Sequence, residues 1–144
     1  MNAQEIVARV RQSQFLRFAV VGAAGFVVNE AVLFVILLVD FWHFNAYWAE
    51  AVAFMFAATF TWWGNRRLTF REHAAATARG MAREWAAFMA ANALGGAVNY
   101  ATFVAVVHFA PVPFDSPFLG VVAGTLAGLV FNFTMSKRFV FRAR

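Results

Sequence analysis

The sequence predicts an all-α integral membrane protein in which four transmembrane helices form two helix pairs. Of its 144 residues, 62% are hydrophobic and only 13% are charged, which leaves too few polar side chains to cover a soluble domain of this size. The chain also contains 19 Phe and 5 Trp, and a small aqueous fold has no core large enough to bury so many large aromatic side chains. Lipid is therefore the predicted solvent for most of the chain.

Four apolar segments match the length of a transmembrane helix. A hydrocarbon core of about 30 Å requires about 20 helical residues. The predicted spans are residues 18–39, 47–64, 85–109 and 118–135. The first apolar run is too long for a signal peptide, and a second span follows it at once. We therefore expect a single membrane domain over residues 1–144.

The positions of the charged residues predict the orientation of these spans. All 12 Lys and Arg residues lie before the first span, between the second and third, or after the fourth, whereas the loops at 40–46 and 110–117 contain neither residue. By the positive-inside rule, both termini and the loop at 65–84 are cytoplasmic. The sequence thus predicts a multi-pass protein of the cell inner (plasma) membrane, and topology explains the net charge of +5 without a nucleic-acid partner.

Two further segments are expected at the inner surface of the membrane. Residues 1–14 are predicted to form a basic interfacial segment. For the Ala-rich residues 72–83, an interfacial helix and a plain cytoplasmic loop both remain open, because Gly80 lowers the helix propensity of this stretch.

The chain contains an internal repeat. A shift of 70 residues aligns Phe18, Gly25 and Asn29 with Phe88, Gly95 and Asn99. A shift of 71 residues aligns RRLTFR at 66–71 with KRFVFR at 137–142. Because each copy contains two spans, both copies enter and leave the membrane on the same side, which predicts a parallel repeat.

Small and polar residues form a stripe along the spans. The fourth span carries Gly120, Gly124, Gly128, Asn132 and Ser136 at intervals of four residues, and the second carries Ala49, Ala53, Ala57, Thr61 and Asn65. Small residues let helices approach closely in lipid, and amide side chains within the first and third spans must find partners inside the bundle. Glycines left open on the surface would also accept helices of another chain, so we expect a homo-oligomer.

Glu30 is the least expected residue for hydrocarbon, because it lies near the middle of the first span. A carboxylate there costs about 2.5–3.5 kcal/mol. Glu30 is therefore predicted to face the bundle interior or a wet cavity, where it acts either as a neutral acid that bridges helices, or as a protonation switch or a ligand for a polar head group. Tyr100 occupies the equivalent position in the second copy.

Paired basic residues follow the second and fourth spans at equivalent positions of the repeat. These pairs are Arg66 with Arg67 and Lys137 with Arg138. Topology alone explains basic residues at a cytoplasmic flank, but such a pair beside polar and aromatic residues is also suited to hold a lipid phosphate. The sequence contains no metal-ligand spacing and no catalytic motif, so we expect neither an enzyme nor a cofactor.

Three stretches resemble the GtrA family: FLRFAVVGAAGFVVN at 15–29, NRRLTF at 65–70 and NFTMSKRFVF at 132–141. The resemblance covers about residues 14–142. It implies a four-span protein of cell-surface polysaccharide synthesis. Such a protein would move a polyprenyl-phosphate-linked monosaccharide from the cytoplasmic to the outer leaflet and so supply a glycosyltransferase partner.

The resemblance also implies which residues meet this substrate. The lipid phosphate would be bound by Arg17, Arg66, Arg67, Lys137 and Arg138. The sugar path would be formed by Asn29, Glu30, Asn65, Asn99, Tyr100 and Asn132. Thr61 replaces Asn132 in the first copy and Ser136 replaces Asn65 in the second, so the repeat requires neither amide.

Two other functions remain open. A membrane anchor that recruits a glycosyltransferase would need the same spans and basic flanks but no polar path through the membrane. A proton-coupled exporter of small cations, similar to the small multidrug resistance proteins, would also use a Glu in its first span. Such an exporter is expected to lack the repeated basic pairs.

Overall fold

The computed structural model describes residues 3–39, 46–111 and 113–141, and their regular structure is helical. The five α-helices are α1 (Ala3–Gln12), α2 (Gln14–Val39), α3 (Ala46–Gly64), α4 (Ala78–Phe109) and α5 (Pro117–Met135). A first π turn (Asn65–Thr69) follows α3, a second π turn (Ser136–Val140) follows α5, and a short 3-10 helix covers Arg71–His73. The predicted all-α class is confirmed for these residues. Most of the predicted outer loop at 40–46, and the basic residues after 141, lie outside the described part of the chain.

Three segments of the described chain are long and apolar enough to cross a membrane: Gln14–Val39, Ala78–Phe109 and Pro117–Val140. Helix α3 has 19 residues, or about 28 Å at 1.5 Å per residue, which is also sufficient in length. It contains Glu50, however, and several Trp residues, which favour hydrocarbon less than aliphatic side chains do. Three of the four predicted spans are therefore both long enough and apolar enough to cross a membrane.

Helices α2 and α4 begin earlier than their predicted spans because a hydroxyl side chain caps each of them. The Leu16 backbone N–H donates to Ser13 Oγ at 3.3 Å, so α2 begins at Gln14. The Gly80 backbone N–H donates to Thr77 Oγ1 at 3.1 Å, so α4 begins at Ala78. Gly80 therefore lies in the first turn of α4, a position where the cap satisfies its N–H group.

The chain divides into two compact units, Met1–Ala74 and Ala75–Arg144. In the first unit, α2 packs against α3 and the first π turn. In the second unit, α4 packs against α5 and the second π turn. Each unit thus contains one helix pair that ends in a π turn. The sequence repeat predicts the helix pair of each copy.

The stripes of small residues pack inside these helix pairs. In the first unit, Gly25 faces Thr61 and Ala57 of α3. In the second unit, Gly124 faces Asn99 of α4, with only 2.6 Å between a Cβ built on the glycine and the Asn99 backbone oxygen. Gly120, Gly124 and Gly128 are all buried. The α5 stripe is therefore occupied within its own unit, whereas a Cβ at Gly22 or Gly96 would meet nothing within 4 Å. The homo-oligomer stays a prediction.

Candidate functional site

A π turn ends the helix pair of each unit and carries the basic pair of that unit. The Phe70 N–H donates to the Asn65 carbonyl at 2.8 Å, and the Phe141 N–H donates to the Ser136 carbonyl at 2.8 Å. Such i to i+5 turns are rare and occur often at functional sites. Sequence periodicity does not predict either π turn.

A buried phenylalanine closes each π turn against the first helix of its pair. Phe70 meets Phe18 edge to face, with ring centroids 6.2 Å apart and planes at 68°. Phe141 meets Phe88 in the same way, at 6.3 Å and 65°. All four rings are at most 4% exposed, and edge-to-face pairs add about 0.5–1.5 kcal/mol beyond the burial of their surface. These pairs hold the π turns against α2 and α4.

Polar contacts support the first π turn. The buried Asn65 accepts a hydrogen bond at Oδ1 from Thr69 Oγ1 at 2.9 Å. Gln14 Nε2 of α2 donates to the Thr69 carbonyl at 3.4 Å. The first π turn is thus bonded both within itself and to α2.

The second π turn has different support. Val140 stands where the first unit has Thr69, and the buried Ser136 Oγ has no hydrogen-bond partner within the described residues. Glu84 stands where the first unit has Gln14. It is only 5% exposed, and its carboxylate accepts the Ala75 N–H at 2.8 Å.

Replacing Thr69 with Val is expected to destabilise the first unit by about 1–3 kcal/mol, because the buried Asn65 Oδ1 would lose its partner. Reversible unfolding in mixed detergent micelles measures this loss. Thr134→Val is the matched control, because Thr134 Oγ1 donates to the Val130 carbonyl of its own helix at an exposed position. Equal losses in the two variants would contradict a special role for the bond in the π turn.

Aromatic rings lie beside three of the basic residues. The Arg66 Cζ is 5.9 Å from the Trp62 ring centroid, and the Arg67 Cζ is 5.2 Å from that of Trp63. In the second unit, Lys137 Nζ lies 5.8 Å from the Phe133 ring centroid. Each ring precedes its cation by four residues, about one helical turn. A ring contact of this kind orients the charged group beside it.

The remaining predicted phosphate ligands, Arg17 and Arg138, occupy different surroundings. Arg17 is half-buried on α2 and lies in the sequence between Gln14 and Phe18. Gln14 bonds to Thr69 of the first π turn, and Phe18 contacts Phe70, which closes that turn. Arg138 is exposed on the second π turn. The structure therefore brings Arg17 to the same end of the first unit as Arg66 and Arg67, whereas Ala87 stands at the equivalent position of the second unit.

Asn29 finds its hydrogen-bond partner on α3, at an exposed position of the first unit. Its Nδ2 donates to the two carboxylate oxygens of Glu50 at 3.3 and 3.4 Å. Glu30 is exposed too, and it lies about 100° around α2 from Asn29. Glu30 therefore does not lie on the side of α2 that meets α3, which presents Val21, Gly25 and Asn29. Its predicted place in a bundle interior or a wet cavity stays a prediction.

The predicted sugar-path residues of the second unit do not form one surface. Asn99 packs against Gly124, and Asn132 packs against Gly95. Tyr100 is 69% exposed and stacks on Phe103, with ring centroids 6.4 Å apart. Asn65 of the first unit is buried beneath its π turn. Asn65 is thus buried and Asn132 half-buried, each against residues of its own unit. Their place in a sugar path stays a prediction.

Several contacts of the site involve residues outside the predicted set. Glu50, Glu84 and Gln14 all make hydrogen bonds that hold the two helix pairs or their ends. A signal for the phenylalanine pairs exists in the sequence, because Phe18 and Phe70 recur in the repeat as Phe88 and Phe141. Within the described ranges, no group of three or more His, Cys, Asp or Glu is placed to hold a metal ion, and His43 lies outside those ranges.

The comparison with known families agrees with this architecture. A family model described as GtrA/DPMS, transmembrane domain, matches residues 17–142, which extend from Arg17 past the second π turn. No curated protein and no solved structure matches the chain significantly. The match covers nearly the whole of a helical, multi-pass membrane protein. The chain belongs to the GtrA/DPMS transmembrane-domain family.

Proposed function

We propose that this protein moves a polyprenyl-phosphate-linked monosaccharide across the inner membrane for cell-surface polysaccharide synthesis. The chain belongs to the GtrA/DPMS transmembrane-domain family, and its resemblance to the GtrA family implies a polyprenyl-phosphate sugar as the substrate. The observation that carries the proposal is the duplicated π turn, which presents basic side chains at the end of each helix pair. Such residues suit a phosphodiester at the membrane surface, because charge-assisted hydrogen bonds to phosphate are stronger than hydrogen bonds between neutral groups. The isoprenoid tail can stay in the lipid while the phosphate is bound.

The separation of the polar groups on α2 favours movement of the substrate over static binding. Arg17 and Asn29 are 12 residues apart on this helix, or about 18 Å along its axis. A sugar joined directly to a phosphate is too short to bridge that distance. The basic end would therefore bind the phosphate on the cytoplasmic side, and the sugar would meet Asn29 only after it enters the membrane.

The proposal uses all four long helices as spans, with both termini in the cytoplasm. Helix α3 serves as the second of these four spans because its length of about 28 Å nearly matches the hydrocarbon core. Its carboxylate at Glu50 accepts hydrogen bonds from Asn29, which lowers the cost of placing it in the membrane. A glycosyltransferase that acts outside the cytoplasm would consume the transported lipid.

Translocation in proteoliposomes tests the proposal. Purified protein is expected to accelerate the transfer of a polyprenyl-phosphate hexose between leaflets, measured by the access of a membrane-impermeant reagent to the sugar. The double substitution Arg66→Gln and Arg67→Gln is expected to slow this transfer at least tenfold, the loss anticipated when charged hydrogen bonds to a ligand are removed. The matched control is Arg79→Gln with Arg83→Gln, which removes the same charge from exposed positions on α4.

Two outcomes would overturn the proposal. The first is the absence of acceleration by correctly folded wild-type protein, which would instead favour the recruitment of a glycosyltransferase. The second is an equal loss of rate in both double variants, because net charge rather than the π turn would then govern transfer.

A further inference from the structure

We propose that Glu50, oriented by Asn29, binds the hydroxyl groups of the sugar and makes the protein prefer sugar-bearing lipid over bare polyprenyl phosphate. This inference rests on the proposed function and deepens it, because it assigns sugar recognition to a residue on α3 instead of to Glu30. Four features of the described residues support it.

The first feature is the geometry of the pair. The Asn29 Nδ2 lies nearly equally far from the two Glu50 oxygens, at 3.3 and 3.4 Å, so both oxygens share the amide through long hydrogen bonds. A carboxylate offers about four lone-pair sites. No other hydrogen bond to Glu50 occurs among the described residues, and this carboxylate therefore retains acceptor sites for a ligand.

The second feature is exposure. Glu50 is exposed and Asn29 is half-buried, so the pair lies on the surface of the first unit, where a lipid-borne head group can reach it. A carboxylate surrounded only by hydrocarbon costs about 2.5–3.5 kcal/mol. Donors are needed to offset this cost, and a sugar presents several hydroxyl donors close together.

The third feature is position. Glu50 and Gly64 are 14 residues apart on α3, which places the carboxylate about 21 Å from the start of the first π turn. The Asn29 and Glu50 pair is therefore distant from Arg66 and Arg67 and too far away to bind the same sugar phosphate at the same time. It is placed to select the sugar after the head group has left the basic end.

The fourth feature is asymmetry between the two units. The repeat places Val121 where the first unit has Glu50, and Asn99 packs against Gly124 instead of against a carboxylate. The amide is thus present in both copies, whereas the amide and carboxylate pair occurs in the first copy alone within the described chain. A packing role shared by both units would not require this difference.

Binding measurements in lipid nanodiscs test the inference separately from transport. The probes are polyprenyl phosphate and the same lipid carrying glucose, mannose, galactose or arabinose. Wild-type protein is expected to bind at least one sugar lipid about tenfold more tightly than bare polyprenyl phosphate. Glu50→Gln, which preserves shape but removes the charge, is expected to lose about tenfold of this preference, as for hydrogen bonds to a charged acceptor. Its affinity for bare polyprenyl phosphate is expected to stay within twofold of wild type.

Glu72→Gln is the matched control, because Glu72 is an exposed carboxylate of the same unit, lies outside the predicted sugar path and has no hydrogen bond among the described residues. This variant is expected to keep the wild-type preference. The inference is overturned if wild-type protein prefers none of the four sugar lipids, if Glu50→Gln keeps the preference, or if both variants lose it equally. Failure of the proposed function would instead appear as absent translocation in proteoliposomes, whatever the binding preference.

Discussion

Replacing Phe141 with Ala is expected to destabilise the second unit by about 3–5 kcal/mol, the range for truncating a buried phenylalanine. Phe141 is 2% exposed, and its ring meets Phe88, which is 1% exposed. The second π turn also lacks the side-chain bond that Thr69 makes in the first. Loss of the ring is therefore expected to loosen the second π turn, which carries Lys137 and Arg138, and translocation is expected to fall along with stability.

The control for this prediction is Phe139→Ala. Phe139 lies in the same π turn, but it is 55% exposed, so its truncation is expected to change the free energy of unfolding by less than about 1 kcal/mol. Unfolding in mixed micelles compares the two variants directly. A loss in Phe139→Ala as large as that in Phe141→Ala would show that the buried ring pair does not anchor the turn.

Replacing Gly124 with Ala is expected to destabilise the second helix pair by about 1–3 kcal/mol, the usual cost of overpacking. The added Cβ would lie 2.6 Å from the Asn99 backbone oxygen and 2.7 Å from Asn99 Oδ1. A backbone oxygen cannot move aside without its helix, so α4 and α5 must separate. Thermal unfolding in detergent gives the size of the loss.

Gly96→Ala tests whether steric contact, rather than the loss of any helical glycine, causes this effect. A Cβ at Gly96 meets nothing within 4 Å. Because Ala favours a helix over Gly by about 1 kcal/mol, this variant is expected to be as stable as wild type or more stable. Destabilisation of Gly96→Ala to the level of Gly124→Ala would refute the close-approach explanation.

Much of the fold follows from patterns that the membrane imposes. Apolar length gives the helices, and the small residues at every fourth position of α5 give the face that meets α4. The start of α4 is harder to predict, because Thr77 and the Gly80 N–H form a local cap inside a polar, Ala-rich stretch. Three segments meet both span criteria and α3 does not, because Trp and Glu residues reduce its apolar character while leaving its helical form intact.

The candidate site is predictable only in part. The basic pairs follow directly after the spans, so their place at one end of each helix pair can be read from the sequence. The roles of Glu30 and Glu50 cannot be read from the sequence, because neighbouring residues of a helix point in directions that differ by about 100°. A long side chain can also reach a partner one turn away. Each π turn differs from an α-helical turn by a single extra residue, and the hydropathy pattern of the sequence does not indicate where that residue is inserted.

The length of α4 gives the two halves of the protein different mechanical properties. Its 32 residues extend about 48 Å, so even at a tilt of about 20° the helix exceeds a hydrocarbon core of about 30 Å by roughly 15 Å. The first unit is interrupted at Ser13, between α1 and α2, although the Ser13 N–H donates to the Arg9 carbonyl and the Ser13 carbonyl accepts the Arg17 N–H, both at 3.0 Å. In the second unit α4 is continuous from Ala78 to Phe109, so a displacement of Glu84 is passed along a single helix to Tyr100.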